Sequence, residues 1–440
     1  MHVPWRSASS LMNSAPANAR KRTRPILTFF TIPRQGVMVA IAGISFLPAG
    51  VAWYPAARSS ATKFSCQGLT FTCKAGSETH PMRQLSILHP GGFRALRIVH
   101  AAQPTPSPGM VVIDVEAAGV NFADCVARLG LYAASWRYAG WPFTPGFEVA
   151  GRVSALGEGV HGLDVGNRVI ALTRFGGYAE QVAVPRHQIF ACPSRLMTPQ
   201  AAGIAVVFLT AAYALDELAA PRPASTVLVH SAAGGVGGAL LQLARLRGIH
   251  AVGVVGSTHK LQAAIDAGAH AVIDASGENW FAAARHYAPN GYHAVFDANG
   301  LTLRQSLRLL APMGRLVAYG SHGIVPRNGK LIGALATPIR YALLPRFGVL
   351  RLANENKSVM AFNLSYLFDE VSFLDRIMRN LLTDFDQGRL VPPPTRCYPF
   401  EQAGLAQRYV QSGRTIGKCV LTMGSVEARS IRGTGLCNDR

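Results

Sequence analysis

This chain is short of acidic residues and of organised cysteine. Of its 440 residues 23 are Asp or Glu against 43 Lys or Arg, a formal charge of +20. Its seven cysteines, Cys66, Cys73, Cys125, Cys192, Cys397, Cys419 and Cys437, form no C-x-x-C pair and no metal-ligand spacing. The excess of positive charge invites an anionic partner, but no basic run is interleaved with aromatics, which argues against nucleic acid. The scattered cysteines read mostly as isolated thiols of a reducing compartment, so the expected location is cytoplasmic. A hydrophobic content of 49% rules out a disordered chain, and the length suffices for two or three domains.

Charge is concentrated at the N-terminus, where residues 1–81 hold nine Lys/Arg against the single acid Glu78. Arg20, Lys21, Arg22, Arg24 and Arg34 precede an uncharged stretch over 36–54 that contains Pro48 and is at the lower limit for spanning a bilayer. Organised patterning begins at Met82, with Leu85-x-Ile87. The favoured reading is translation from Met82 or a disordered extension, and membrane association through 36–54 is the alternative. Residues 425–440 read as a tail.

The most telling segment is Thr226-Val-Leu-Val-His-Ser-Ala-Ala-Gly-Gly-Val-Gly-Gly-Ala-Leu-Leu-Gln-Leu-Ala244, a strand, a glycine-rich turn and a helix in succession. Such a turn lets the backbone approach a pyrophosphate, which the helix N-terminus attracts. Ala233, Gly234, Gly235, Val236 and Gly237 form the expected cradle, with Ala232 where the usual fingerprint has its first glycine. One helix later Ala251-Val-Gly-Val-Val255 ends at Gly256-Ser-Thr-His-Lys260 without a carboxylate. An acid there would favour a free ribose hydroxyl. Ser257, His259 and Lys260 instead offer hydrogen bonds and charge to a 2′-phosphate, so the expected cofactor is NADPH. Strand-like runs at His270–Asp274, His293–Asp297 and Gly314–Gly320 complete a doubly wound parallel sheet. Tyr319, Gly320 and Asn363 join the expected cofactor set.

Between Met82 and Ala205 short strands alternate with Gly/Pro turns, as in Ile113–Ala118, Glu148–Val153, Arg168–Ala171 and Tyr178–Val184. Here the chain resembles the medium-chain dehydrogenase/reductase superfamily. The motifs are Gly119-Val-Asn-Phe-Ala-Asp124, Gly130-Leu-Tyr132, Pro145-Gly-Phe-Glu-Val-Ala-Gly151, Gly166-Asn-Arg-Val169, Gly176-Gly-Tyr-Ala-Glu180 and the Ala232–Gly237 turn, in order over about 82–424. The resemblance implies an α/β architecture. A GroES-like β-rich substrate domain would comprise 82–205 and 366–424, and a Rossmann NADP-binding domain 206–365. It also implies a homodimer paired through the strand at 359–362. Zinc alcohol dehydrogenases of this superfamily place a cysteine and a histidine where this chain has Asn121 and Phe147, so no metal is expected.

The remaining pattern resembles the quinone oxidoreductase group. Within it, Pro345-Arg-Phe347 and Asn356-Lys-Ser-Val-Met-Ala-Phe-Asn-Leu-Ser-Tyr-Leu367 are similar to the vesicle-amine-transport-protein-like branch. The apolar segment 330–347 of that branch reads as a helix over the cleft or at a subunit contact, or as a peripheral membrane contact carrying Arg340 and Arg346. Without a metal, a hydride acceptor must already be electrophilic, which favours a quinone or a conjugated enone. Tyr132 is the expected proton donor or a wall of the cleft. Asn121 orients nicotinamide or substrate carbonyl, or is a turn residue, and Thr210 lies near the nicotinamide or packs a helix. Asp124 and Glu148 are framework groups. His293 stands where an acid is common, with a structural effect, and Asp297 is retained. The alternatives are an enoyl-thioester reductase and a nucleotide-binding, membrane-associated or lipid-handling protein with little turnover.

Overall fold

The computed structural model describes residues 81–424 except 278, 326–336 and 338. The extension with its 36–54 stretch, the tail 425–440 and residues 330–336 and 338 of the apolar segment 330–347 lie outside the described residues.

Seven short strands come first: β1 Met82–Ile87, β2 Leu96–Ala101, β3 Met110–Val120, β4 Glu148–Leu156, β5 Arg168–Leu172, β6 Gln181–Pro185 and β7 Ile189–Ala191. Their β-branched residues fit a pleated, half-buried surface. Val111, Ile113, Val115, Val149, Val153 and Val169 all enter one apolar core. β3 is long enough to have different neighbours at its two ends, pairing antiparallel with β6 over its first half and with β4 along most of its length.

The chain then builds a parallel sheet from β8 Thr226–His230, β9 His250–Val255, β10 Ala271–Asp274, β11 Tyr292–Asp297, β12 Leu310–Ala318 and β13 Ser358–Ala361. Its order is β10-β9-β8-β11-β12-β13. The direction of winding reverses between β8 and β11, which opens a crevice at the carboxyl ends of those strands. Val227, Leu228 and Val229 are fully buried, and they contribute to cores on both faces of the sheet, as a central parallel strand requires.

Two last strands, β14 Thr395–Pro399 and β15 Lys418–Thr422, return to the first sheet, whose order becomes β14-β15-β3-β4-β5-β7. Cys419 pairs with Val120 and Leu421 with Ala118. The doubly wound parallel sheet and the β-rich sheet expected from the sequence are both present, and strand β13 lies at the sheet edge. Thr198–Ala219 is long and apolar enough to cross a membrane, but 72% of its most apolar window is buried inside the protein. It is a core helix: Phe208 packs edge-on against Phe385, ring centroids 4.9 Å apart.

One close approach decides where the site can form. A Cβ on Gly119 would lie 2.4 Å from Ala202 O and 2.5 Å from Glu148 Oε1, which brings β3 against a carbonyl and a buried carboxylate that have no room to retreat. Gly119→Ala is therefore expected to destabilise the protein by about 1–3 kcal/mol in urea unfolding. An unchanged midpoint would show that the contact relaxes at no cost.

Candidate active site

A cleft of about 1010 Å³ is lined by residues of both sheets. Among the described residues its lining includes Lys260 and Lys418 but no Asp, Glu or Arg; Lys418 is matched by Glu148 behind the wall, so the positive charge that suits an anionic ligand lies at the Lys260 end. Of the residues singled out from the sequence, Asn121, Tyr132, Thr210, Ala233, Gly234, Gly235, Val236, Gly237, Lys260, Tyr319, Gly320 and Asn363 line this cleft, whereas Ser257 and His259 do not.

The glycine turn forms one end. Gly234 caps the helix Gly235–Leu246 in an extended conformation. A Cβ on Gly237 would fall 2.2 Å from Ser231 O, so this glycine is required by strand–helix packing. The turn is also held from the other sheet, since Gly417 N–H donates to Ala233 O at 2.9 Å. Tyr319 also lines the cleft; its hydroxyl is buried without a hydrogen-bond partner, and burial pushes its pKa up. A glycine-lined helix N-terminus, with a buried orphan hydroxyl elsewhere in the same cleft, fits the polar groups of a bound dinucleotide.

Beyond the end of β9 Lys260 is buried and its Nζ donates to Gly413 O at 2.5 Å. His259 is exposed and Ser257 half-buried. The strand end carries no acid of its own, but Asp274 at the end of the neighbouring β10 accepts from Thr258 Oγ1 at 2.6 Å. Hydrogen bonds from Ser276 and Thr258 hold the Asp274 carboxyl below its usual range.

The opposite end gathers the chemistry. Asn121 follows β3 and stands at the N-cap of the helix Phe122–Arg128, where its backbone N–H is held by the Asp124 carboxylate. Its Nδ2 donates to Glu148 Oε1 at 3.0 Å and its Oδ1 accepts from Lys418 Nζ at 2.5 Å. Glu148 Oε2 accepts from Val206 N–H at 2.9 Å. Asp124 is a framework group, accepting from Asn121 N–H at 2.8 Å, Tyr178 hydroxyl at 2.9 Å and Gly146 N–H at 3.0 Å. Burial nevertheless raises its carboxyl to about 7 against those bonds. Tyr132 donates to Asn363 Oδ1 at 2.8 Å and lies 2.7 Å from Ser365 Oγ. Burial raises its phenol to about 12. Thr210 Oγ1 bonds back to Val206 O at 2.6 Å, one helical turn away, and Thr226 N–H donates to His293 Nδ1 at 3.2 Å.

Among the described residues no group of three or more His, Cys, Asp or Glu could hold a metal ion. The amide of Asn121 and the ring of Phe147 hold the two positions compared with zinc ligands, and Phe147 packs edge-on against Tyr132 at 5.5 Å.

Several residues of the site escaped the sequence reading. Lys418 is the foremost, and its only sequence signal is a lysine leading the apolar strand Cys419-Val-Leu-Thr422. His230 lines the cleft from inside the glycine motif itself, its Nε2 3.1 Å from Ser306 Oγ. Ser306 and Thr302 donate in turn to the buried Asp297 carboxylate at 2.8 and 2.6 Å.

With the geometry in place, comparison with known proteins is informative. Residues 107–194 match the alcohol dehydrogenase GroES-like domain and residues 267–421 the zinc-binding dehydrogenase family. The rat synaptic vesicle membrane protein VAT-1 homolog is 35% identical over 361 residues, covering 78% of this chain and 85% of the relative. A quinone oxidoreductase of Lama guanicoe is 36% identical over 195 residues, 44% of this chain and 58% of that protein. Among solved structures, mycobacterial Rv1454c complexed with NADPH has a TM-score of 0.67 at 29% identity, covering 78% of this chain and 100% of the other. The CurK enoyl reductase has a TM-score of 0.68 at 27% identity over the same shares.

The raised carboxyl of Asp124 makes the folded state hold a proton more tightly than the unfolded chain does. That contribution to stability is present near pH 4 and is lost as the pH rises through about 7. Asp124→Asn is expected to remove this slope, so the stability advantage of wild type over the variant shrinks between pH 4 and 7. A constant gap in thermal melts would contradict it.

Proposed function

The chain belongs to the medium-chain dehydrogenase/reductase superfamily, in the branch of the VAT-1 homologs and quinone oxidoreductases, and from that premise we propose that it reduces a quinone or a conjugated enone with NADPH, independently of zinc. The observation that carries the reading is one cleft that joins a glycine turn to Asn121 and Tyr132, with an asparagine and a phenylalanine in the places of metal ligands.

NADPH, when bound, supplies the hydride. The glycine turn and the orphan Tyr319 hydroxyl hold the dinucleotide, and Lys260 supplies charge toward the 2′-phosphate. Phe147, Leu131 and Phe368 line the substrate end with apolar surface and keep water out. As the electron pair moves onto the substrate's carbonyl oxygen, Asn121 offers an amide N–H to it. Tyr132 holds its proton over the whole physiological range because its phenol is raised to about 12. It releases that proton only to a strong base, such as the enolate carbon left after conjugate hydride addition. The weaker base formed from a quinone needs a hydrogen bond alone. Among the described residues β13 is paired on one side only, with exposed Val349 and Leu350 on the adjoining helix Val349–Glu355, which supports pairing of two copies through that edge.

The deciding experiment follows NADPH consumption, with NADH as control, across quinones, enones and one enoyl-CoA, in wild type and two variants, alongside the sedimentation mass. Selective NADPH turnover by a dimer is expected. Lys260→Ala is expected to weaken NADPH binding by about tenfold, through loss of one charge-assisted hydrogen bond, and to leave NADH affinity unchanged. Tyr132→Phe is expected to slow enone reduction by about 100-fold or more, with quinone reduction nearly unaffected. Tight NADPH binding with no turnover of any acceptor would sink the reading. Turnover confined to the enoyl-CoA would move the activity to enoyl-thioester reduction.

A further inference from the structure

Lys418 Nζ stands 2.6 Å from Glu148 Oε1, and the two side chains are 3% and 0% exposed. Taking two ions out of water costs several kcal/mol for each, and their attraction rarely returns more than that cost, so such a pair is a poor device for stability. Its placement suggests another purpose. The same Nζ donates to Asn121 Oδ1, and Asn121 Nδ2 donates to the same Glu148 oxygen. Asn121 and Lys418 line the cleft, while Glu148 lies behind them.

This ring of three leaves the amide a single orientation. An ammonium can only donate and an ionised carboxylate can only accept, so the amide oxygen faces the lysine and the nitrogen faces the glutamate. What Asn121 retains for the cleft is its second Nδ2 hydrogen, which is a donor. We infer that Lys418 is a positioning residue: it fixes Asn121 as a hydrogen-bond donor to the oxygen on which charge develops during reduction, and by drawing electrons through Oδ1 it strengthens that donor. The lysine thereby brings to this place the positive pull that a metal ion gives related chemistry. The inference rests on the proposed reduction of a carbonyl-conjugated acceptor.

A neutral replacement of the whole pair, Lys418→Gln with Glu148→Gln, tests it without leaving one buried charge unpaired. The double variant is expected to keep its melting temperature and its NADPH affinity, read by nicotinamide fluorescence, while kcat falls by about 100-fold, as for loss of one oxyanion donor, and KM hardly moves. A second reading needs no turnover. 4-Nitrophenol, whose ionised form is coloured, should bind the wild-type complex with NADP⁺ with its pKa lowered, and the double variant should return that pKa to its free value. Asn121→Leu, which leaves the ion pair intact and removes the amide, should give the same two losses, so a double variant that fails to fold does not end the test. Unchanged kcat and nitrophenol ionisation would overturn the inference, as would losses that merely follow melting temperature and NADPH affinity. Absence of quinone or enone turnover in wild type would sink the oxidoreductase reading, and the nitrophenol titration would still judge Lys418.

Discussion

The contact between Lys418 and Glu148 fixes the rest of the site. Lys418 opens β15, Glu148 opens β4, and Asn121 follows β3 at the N-cap of the helix Phe122–Arg128. The other oxygen of Glu148 holds the N-terminal turn of the helix Ala205–Ala212 through Val206 N–H. Four elements therefore meet at one carboxylate. One residue before the lysine, Gly417 N–H reaches the carbonyl of Ala233 in the glycine turn. The separation between the turn and Asn121 is thus set by a single peptide of backbone, at φ +62° on Gly417, where a Cβ would lie 2.1 Å from Pro394 O. A buried ion pair tolerates no loose fit, because either charge left alone would be strongly destabilising. Its presence requires all four elements to be in place together.

Two further ties hold the cleft walls. Tyr132 bonds to Asn363 and Ser365 beyond β13, and Lys260 to Gly413 ahead of β15. Each spans more than 150 residues of sequence. Such contacts specify a shape that local propensity cannot encode, which is why the cleft is a property of the tertiary fold alone. The Tyr132 tie also bears on its proposed chemistry: the hydroxyl lies within hydrogen-bond distance of Asn363 Oδ1 and Ser365 Oγ, and in the proposed reaction a substrate has to compete for its proton.

The parallel sheet, the glycine turn and the β-rich sheet were legible in the sequence, because period, glycine spacing and turn residues are local signals. Asn121 was legible only as a departure from a pattern of metal ligands. Lys418 was not legible, since a lysine before an apolar strand reads as solvated, and burial against Glu148 alone gives it significance. The same holds for Asp274, which reaches the Thr258 turn from the next strand, and for the orphan hydroxyl of Tyr319. Lys260 was legible as a cation, whereas its bond to Gly413 depends on a helix about 150 residues away and had no signal in its neighbourhood.

The arrangement also bears on the kind of acceptor the cleft suits. The chain's excess of positive charge does not flood the substrate end. Lys418 is matched by Glu148 within 2.6 Å, so an uncharged molecule at rest meets a nearly neutral floor and gains little from it. In the proposed reduction, a charge that develops on the substrate oxygen meets a preoriented amide backed by the ammonium, with Glu148 on the far side. Only interactions stronger in the transition state than in the ground state raise kcat, and a dipole fixed in advance incurs no reorganisation cost when the charge appears. A neutral acceptor that becomes anionic in the reaction, as quinones and enones do, draws the full benefit of that difference. A substrate already anionic at the reacting oxygen would spend it on binding.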